Sequence, residues 1–256
     1  MNTLRTQPIW FTIAVSFLLL LLIWEVLVTL GGYNQFILPG PTAVWQQFQI
    51  VAGNGSLLKH TFITMSTVIP GLLLGSMVAA PLGYLLAKST LAEKLLSPYL
   101  IASQAIPIIA IAPLLAIWID SVYWMRVSVA ALVVFFPILV NMVTGMRSVP
   151  PELYELMHAL KANRRQIFRK LEFPAALPIL LAGLKIGATL AVIGTLVGEF
   201  VKPQSQGLGF LLVDARYRFK TDLVFVILIT LSAMALSLYG LVALAEKRVL
   251  RWKMQS

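Results

Sequence analysis

ELYELMHALKANRRQIFRKLEFPAALP, residues 152–178, is a polar, basic stretch set between long apolar runs. Leu153, Leu156, Met157 and Leu160 fall at i, i+3, i+4 and i+7, the spacing of one apolar helix face. Lys161, Ala162 and Asn163 read as a turn, with Asn163 as the cap of a second helix. That second helix carries Arg164, Arg165, Arg169 and Lys170 on polar positions and Ile167, Phe168 and Leu171 on apolar ones. Pro174 and Pro178 are expected to end it, because proline lacks the amide donor and clashes with the preceding turn. The stretch therefore reads as two short amphipathic helices held at a membrane surface, and a basic loop lying on lipid headgroups is its plainest function.

The rest of the chain puts that loop in a bilayer. Of 256 residues 59% are hydrophobic, and the mean hydropathy is +0.88, well above a soluble domain of this size. Six apolar runs are long enough to span, at about 20 residues each. They are 9–30, 62–86, 96–119, 127–143, 179–201 and 223–245, so the expected fold is all-α, one polytopic membrane domain over 1–256. The first run follows a single Arg and has no small-residue cleavage site, so it reads as a retained span. A net charge of +10 is better explained by basic loops on one side of a membrane than by nucleic acid. The basic 152–178 loop then faces the interior, as do both chain ends. There is no cysteine, which excludes disulfides and thiolate metal sites. His60 and His158 show no metal-ligand spacing.

Several features inside the spans invite comment. Gly71, Gly75, Ala79 and Gly83 recur every fourth residue in the second span, and Gly183, Gly187, Gly194 and Gly198 fall within about 60° of one face in the fifth. Both stripes read as helix-packing faces. Glu25 and Lys185 are placed near span ends, where their charges reach the interface. Gln104, Asn141 and Thr195 are candidates for a solute path, with interhelical hydrogen bonding as the alternative for each. Two segments, 31–59 and 202–222, read as exterior. In one, Val44, Trp45, Phe48 and Val51 share a face after Leu38-Pro39-Gly40-Pro41; in the other, Gln206-Gly207-Leu208-Gly209 precedes a helix-like LLVDARYRF.

The loop resembles the EAA loop of the membrane subunits of ABC importers, whose pattern is EAA, three residues, Gly, nine residues, Ile, one residue, Leu-Pro. Glu155 stands at the Glu, Leu156 and Met157 at the alanines, Leu171 at the Ile and Phe173-Pro174 at the Leu-Pro. Identity is kept at Glu155 and Pro174. Lys161 stands where the family has Gly, so either Asn163 takes the left-handed conformation or the turn is built differently. LPGPTAVWQQF, FFPILVNMVTGMRSVPPEL, GLGFLLVDARYRFKTDLVFVILI and EKRVLRW, in that order, resemble the nitrate/sulfonate/taurine-type permeases of that class.

The resemblance implies the type I importer fold, in a bacterial inner membrane, with 148–178 as the coupling loop. Within it Glu152, Leu153, Glu155, Leu156, Met157, Leu160, Lys161, Ala162, Asn163 and Pro174 would dock on a cytoplasmic ABC ATPase. A second permease copy and an external solute-binding protein complete the implied assembly, and ATP and Mg stay on the ATPase. The chain itself has no GxxxxGK[ST] phosphate loop, GxSxG or HExxH, so it should hydrolyse no ATP and bind no cofactor or metal. The implied solutes are organic sulfonates, nitrate- or bicarbonate-type anions, or vitamin-related pyrimidines and riboflavin. A stand-alone secondary transporter and an intramembrane enzyme are the alternatives. The first would show inverted repeats and midplane charges, the second a convergent polar cluster within the spans.

Overall fold

A computed structural model describes residues 9–201 and 206–250. Among them every regular element is helical: α1 (Ile9–Leu30), α2 (Pro41–Gly53), α3 (Ser56–Lys88), α4 (Thr90–Gln104), α5 (Ile108–Trp118), α6 (Val122–Arg147), α7 (Pro151–Ala159), α8 (Arg164–Ile167), α9 (Phe173–Val201), α10 (Leu208–Tyr217) and α11 (Thr221–Val249). Five helices are long and apolar enough to cross a membrane, and the bent pair α4 and α5 makes a sixth span if counted as one. The expectation that both chain ends lie on the interior side falls outside the described residues.

The expected third span, 96–119, is a correction. It is broken, with α4 and α5 meeting at 98°. Pro107 supplies the cause: it has no amide to continue the ladder, and its predecessor is pushed out of the helical region. The chain accordingly leaves α4 at Ala105 and restarts after Pro107. Pro174 and Pro178 correct the sequence reading in the opposite sense, because neither ends a helix. Residues Phe168–Glu172 widen into a π-turn, in which the Phe173 amide donates to the Phe168 carbonyl. The widened turn makes room for the Pro174 ring, and α9 continues through Pro178 to Val201.

The chain divides into two compact units. One holds the chain up to Leu58 together with Leu211–Ile229. In it Trp24 of α1 stacks on Phe225 with ring centroids 5.3 Å apart, and Thr221 Oγ1 donates to the Phe36 carbonyl at 2.6 Å. Glu25 does not simply reach an interface. Its carboxylate lies against Gly40, where an added Cβ would stand 3.3 Å from Oε2. The α2 face divides: Val44 and Val51 are buried while Trp45 and Phe48 are exposed and stack on each other at 5.4 Å.

The other unit runs from Lys59 to Phe210 and resumes at Thr230. Its centre is the α6–α9 pair. Small residues bring the backbones together: a Cβ on Gly194 would stand 2.7 Å from Ala130 Cα, and one on Gly183 2.7 Å from Asn141 Cβ. Gly71, Gly75 and Gly83 of α3 meet α6 in the same way, through Ala130, Ala131 and Met142. The elbow helix α5 closes one end of this core, where Ala112 packs with Met125, Val129 and Val197. Met142, Met146 and Ala176 fill the other, flanked by Tyr84 and Leu180.

Candidate coupling surface and solute path

α7 starts with proline at its first position, where a missing amide costs nothing. It ends in a Schellman motif. The Lys161 amide donates to the His158 carbonyl at 2.9 Å and the Ala162 amide to the Met157 carbonyl at 3.0 Å. Lys161 itself takes the left-handed position, with φ 52°. Neither sequence alternative therefore holds. Asn163 is extended and caps α8 through a reciprocal box: its side chain accepts from the Gln166 amide at 2.9 Å, and Gln166 Oε1 accepts from the Asn163 amide at 2.8 Å. Lys is used at a position that glycine fills without strain, because two backbone hydrogen bonds and the cap downstream fix the turn.

No residue of α7 is buried. Leu153, Leu156 and Leu160 are 40%, 54% and 69% exposed, an apolar row that the described residues leave open. Glu152 lies in the first turn of α7 and Glu155 one turn later, so Glu152 is the carboxylate that meets the helix N-terminus. Ala162 and the ring of Pro174 are half-buried at the turn and the π-turn. Behind α7, burial and then the Glu172 carboxylate hold the Tyr154 phenol above its usual range, so it stays a neutral hydroxyl.

The three path candidates are not brought together. Gln104 lines a cavity of about 850 Å³ at the α4–α5 elbow, with Ser103, Ser128, Phe135 and Phe136 and no charged side chain in the wall. Asn141 donates to the Pro137 carbonyl of its own helix at 2.7 Å and packs over Gly183. Thr195 is fully buried, and its hydroxyl finds no hydrogen-bond partner.

Three charged contacts escaped the sequence reading. Arg126 lies in the second turn of α6 and is 3% exposed. Its partner is Glu199, fully buried, at 3.6 Å. Glu199 also accepts from Thr64 Oγ1 at 2.8 Å and from the Gly209 amide at 2.6 Å, while the Leu208 amide donates to Thr64 Oγ1 at 2.8 Å. These bonds satisfy the free amides that open α10. They also explain the Gly-Leu-Gly run: Gly207 has φ 145°, and a Cβ on Gly209 would meet Glu199 at 2.9 Å. His60 Nδ1 stands 2.9 Å from the Gly207 carbonyl. Lys185, expected to reach for the interface, instead bonds Glu246 at 2.7 Å. Lys88 pairs with Glu172. The partners lie far apart in sequence, and only a shared depth in the membrane, an acid and a base near the same ends of neighbouring spans, signals such pairs. Among the described residues no cluster of three metal-ligating side chains occurs.

A helical protein with up to six spans, one of them broken, and an exposed amphipathic helix between two of them is built as a transport subunit. The chain fits the architecture of the MetNI methionine ABC transporter in an inward-facing conformation, with a TM-score of 0.58 and 22% identity over 77% of this chain and 95% of that one. Residues 71–251 match the binding-protein-dependent transport system inner membrane component family, and the chain belongs to it. It is 44% identical to the riboflavin transport system permease protein RibX of Chloroflexus aurantiacus, over 93% of this chain and 89% of that one. It is 32% identical to the formylaminopyrimidine transport permease protein ThiX of Halalkalibacterium halodurans, over 93% and 94%. The type I permease fold expected from the sequence is thus the fold of this chain, and it is a membrane-embedded ABC transport permease.

Proposed function

We propose that this permease carries a small, flat, uncharged heterocyclic solute inward, driven by an ABC ATPase that docks on α7. The exposed apolar row Leu153, Leu156 and Leu160 carries the docking. A row of this kind, rimmed by charge, fits a groove on a soluble partner, as amphipathic helices do. The 152–178 loop then faces the cytoplasm, ATP and Mg reside on the ATPase, and an external solute-binding protein delivers the solute. One six-span chain offers one docking helix, so two copies are needed for two ATPases, paired about a two-fold axis. ATP and the loaded binding protein favour different global states, and the permease supplies the path between them without covalent chemistry.

The solute class rests on the elbow cavity. Its wall has phenyl rings and the polar groups of Ser103, Gln104 and Ser128, but no cation. An anionic sulfonate or nitrate would be desolvated there without a counter-charge, which is costly, whereas a flat ring with hydrogen-bonding edges suits aromatic walls and a few convergent polar groups. Riboflavin and formylaminopyrimidine, the solutes for which the two permeases above are named, are of this kind. The importer with its ATPase and binding protein, reconstituted in liposomes, should accumulate labelled riboflavin or formylaminopyrimidine with ATP and leave taurine and nitrate outside. Uptake of taurine in their place would overturn the solute class.

A further inference from the structure

Lys88 is the last residue of α3, and Glu172 is the last residue of the π-turn that leads into α9. Their ion pair places a carboxylate that is 2% exposed against an ammonium that is 37% exposed. The same ammonium lies 4.9 Å from the centroid of the Tyr154 ring on α7, within the range of a cation–π contact. One turn back on α3, Tyr84 meets Phe168 of the π-turn edge-on at 5.2 Å, and Phe168 lies 5.8 Å from Phe173 at the start of α9. Lys88, Glu172, Tyr154 and Tyr84 wall a cavity of about 400 Å³, to which His158 and Arg164 also contribute.

We infer that Lys88, Glu172 and Tyr154 form a clamp that transmits displacement of α7 to α3 and α9. No residue of α7 is buried in this chain, so a force applied to that helix has few routes into the membrane domain. One is the backbone at its two ends. Another is the Tyr154–Lys88–Glu172 chain of contacts, which reaches both an α3 end and the base of α9. Glu172 sits in a π-turn, a local widening that can shift register more readily than regular helix. An ion pair whose carboxylate is buried is a poor choice for stability alone, since desolvating that carboxylate offsets much of the attraction. It is a good choice for a joint that holds its geometry while the elements around it move. The three are positioning residues for transport; they touch neither solute nor ATP.

The clamp rests on the reading that α7 docks an ATPase, and the test separates the two. The chain has no native cysteine, so Leu132→Cys, at an exposed site in the elbow cavity, can carry an environment-sensitive fluorophore as the single label. The labelled permease is purified from membranes with its ATPase, and emission is read before and after ATP with vanadate. Lys88→Met combined with Glu172→Leu replaces the pair by apolar side chains of similar length. This variant should keep membrane abundance and ATPase retention and lose the ATP-driven emission change, to the level of permease without ATPase. Lys88→Arg should keep the change. A full emission change in the double variant would overturn the clamp, as would loss of its membrane abundance, which would make the pair a support of the fold only. Failure of the unaltered permease to retain the ATPase would instead strike the docking reading.

Discussion

Lys161 holds φ 52° at the end of α7, a region that costs an L-residue about 1–2 kcal/mol. Lys161→Gly removes that strain and adds unfolded-state freedom of about 0.5–1 kcal/mol. Thermal unfolding in detergent should therefore place it level with the parent or slightly above, while Lys161→Val, with a branched Cβ, should fall below. Reading the position as a turn was possible from its place in the EAA spacing. Knowing that Lys and not Asn163 would bend was not, because the choice follows from the two Schellman hydrogen bonds, and those depend on where α7 stops. Glu199 shows the other limit of residue-scale reading. Its three partners, Thr64, Arg126 and the Gly209 amide, come from α3, α6 and the start of α10, and nothing local in the sequence pairs them. Glu199→Ala leaves Arg126 buried without a counter-charge, and breaking such a pair costs about 3–5 kcal/mol. Membrane abundance of Glu199→Ala should fall sharply, and Glu199→Gln, which keeps one oxygen to accept from Thr64 or from the Gly209 amide, should fall less.

The α6–α9 contact sets what the elements tolerate. At Gly194 an added Cβ meets the Ala130 backbone at 2.7 Å, and at Gly187 it meets the methyls Ile138 Cδ1 and Val134 Cγ1 at 3.2 Å. Backbone cannot give way as a methyl can, so Gly194→Ala should cost about 1–3 kcal/mol and Gly187→Ala distinctly less. Gly240→Ala, with nothing within 4 Å of the added atom, should gain up to about 1 kcal/mol from helix propensity. Denaturation midpoints of the three variants rank the sites, and equal losses at Gly187 and Gly194 would contradict the assigned contact. The glycine stripes were legible because small residues at a fixed period have one main use between membrane helices. The ends of the elements were less so. Pro107 breaks its span, whereas Pro178 lies inside α9, Pro70 and Pro81 inside α3 and Pro137 inside α6, so a proline by itself does not mark where a helix ends. Apolar runs mark where a helix lies in the bilayer but stop short of its true length, as α3 starts at Ser56 and α9 at Phe173, each ahead of its apolar run.

At the scale of the molecule, the class of protein was readable from the order of four segments around a spaced loop, since hydropathy sets the spans and the loop sets the partner. The elbow cavity was not, because it is made by side chains from α3, α4, α5 and α6 converging on a break, and that convergence is a tertiary fact. The central claim is that α7 is the surface through which an ATPase drives this permease. Affinity-tagged permease co-expressed with its ATPase and purified in mild detergent tests it directly, through the ratio of ATPase to permease recovered. Leu156→Asp sets a charge on the exposed row, where burial of a charged group without a partner is costly, and the surface position leaves the fold of the chain alone. The account predicts normal permease abundance with the ATPase lost from Leu156→Asp. Full recovery of the ATPase with Leu156→Asp would contradict it.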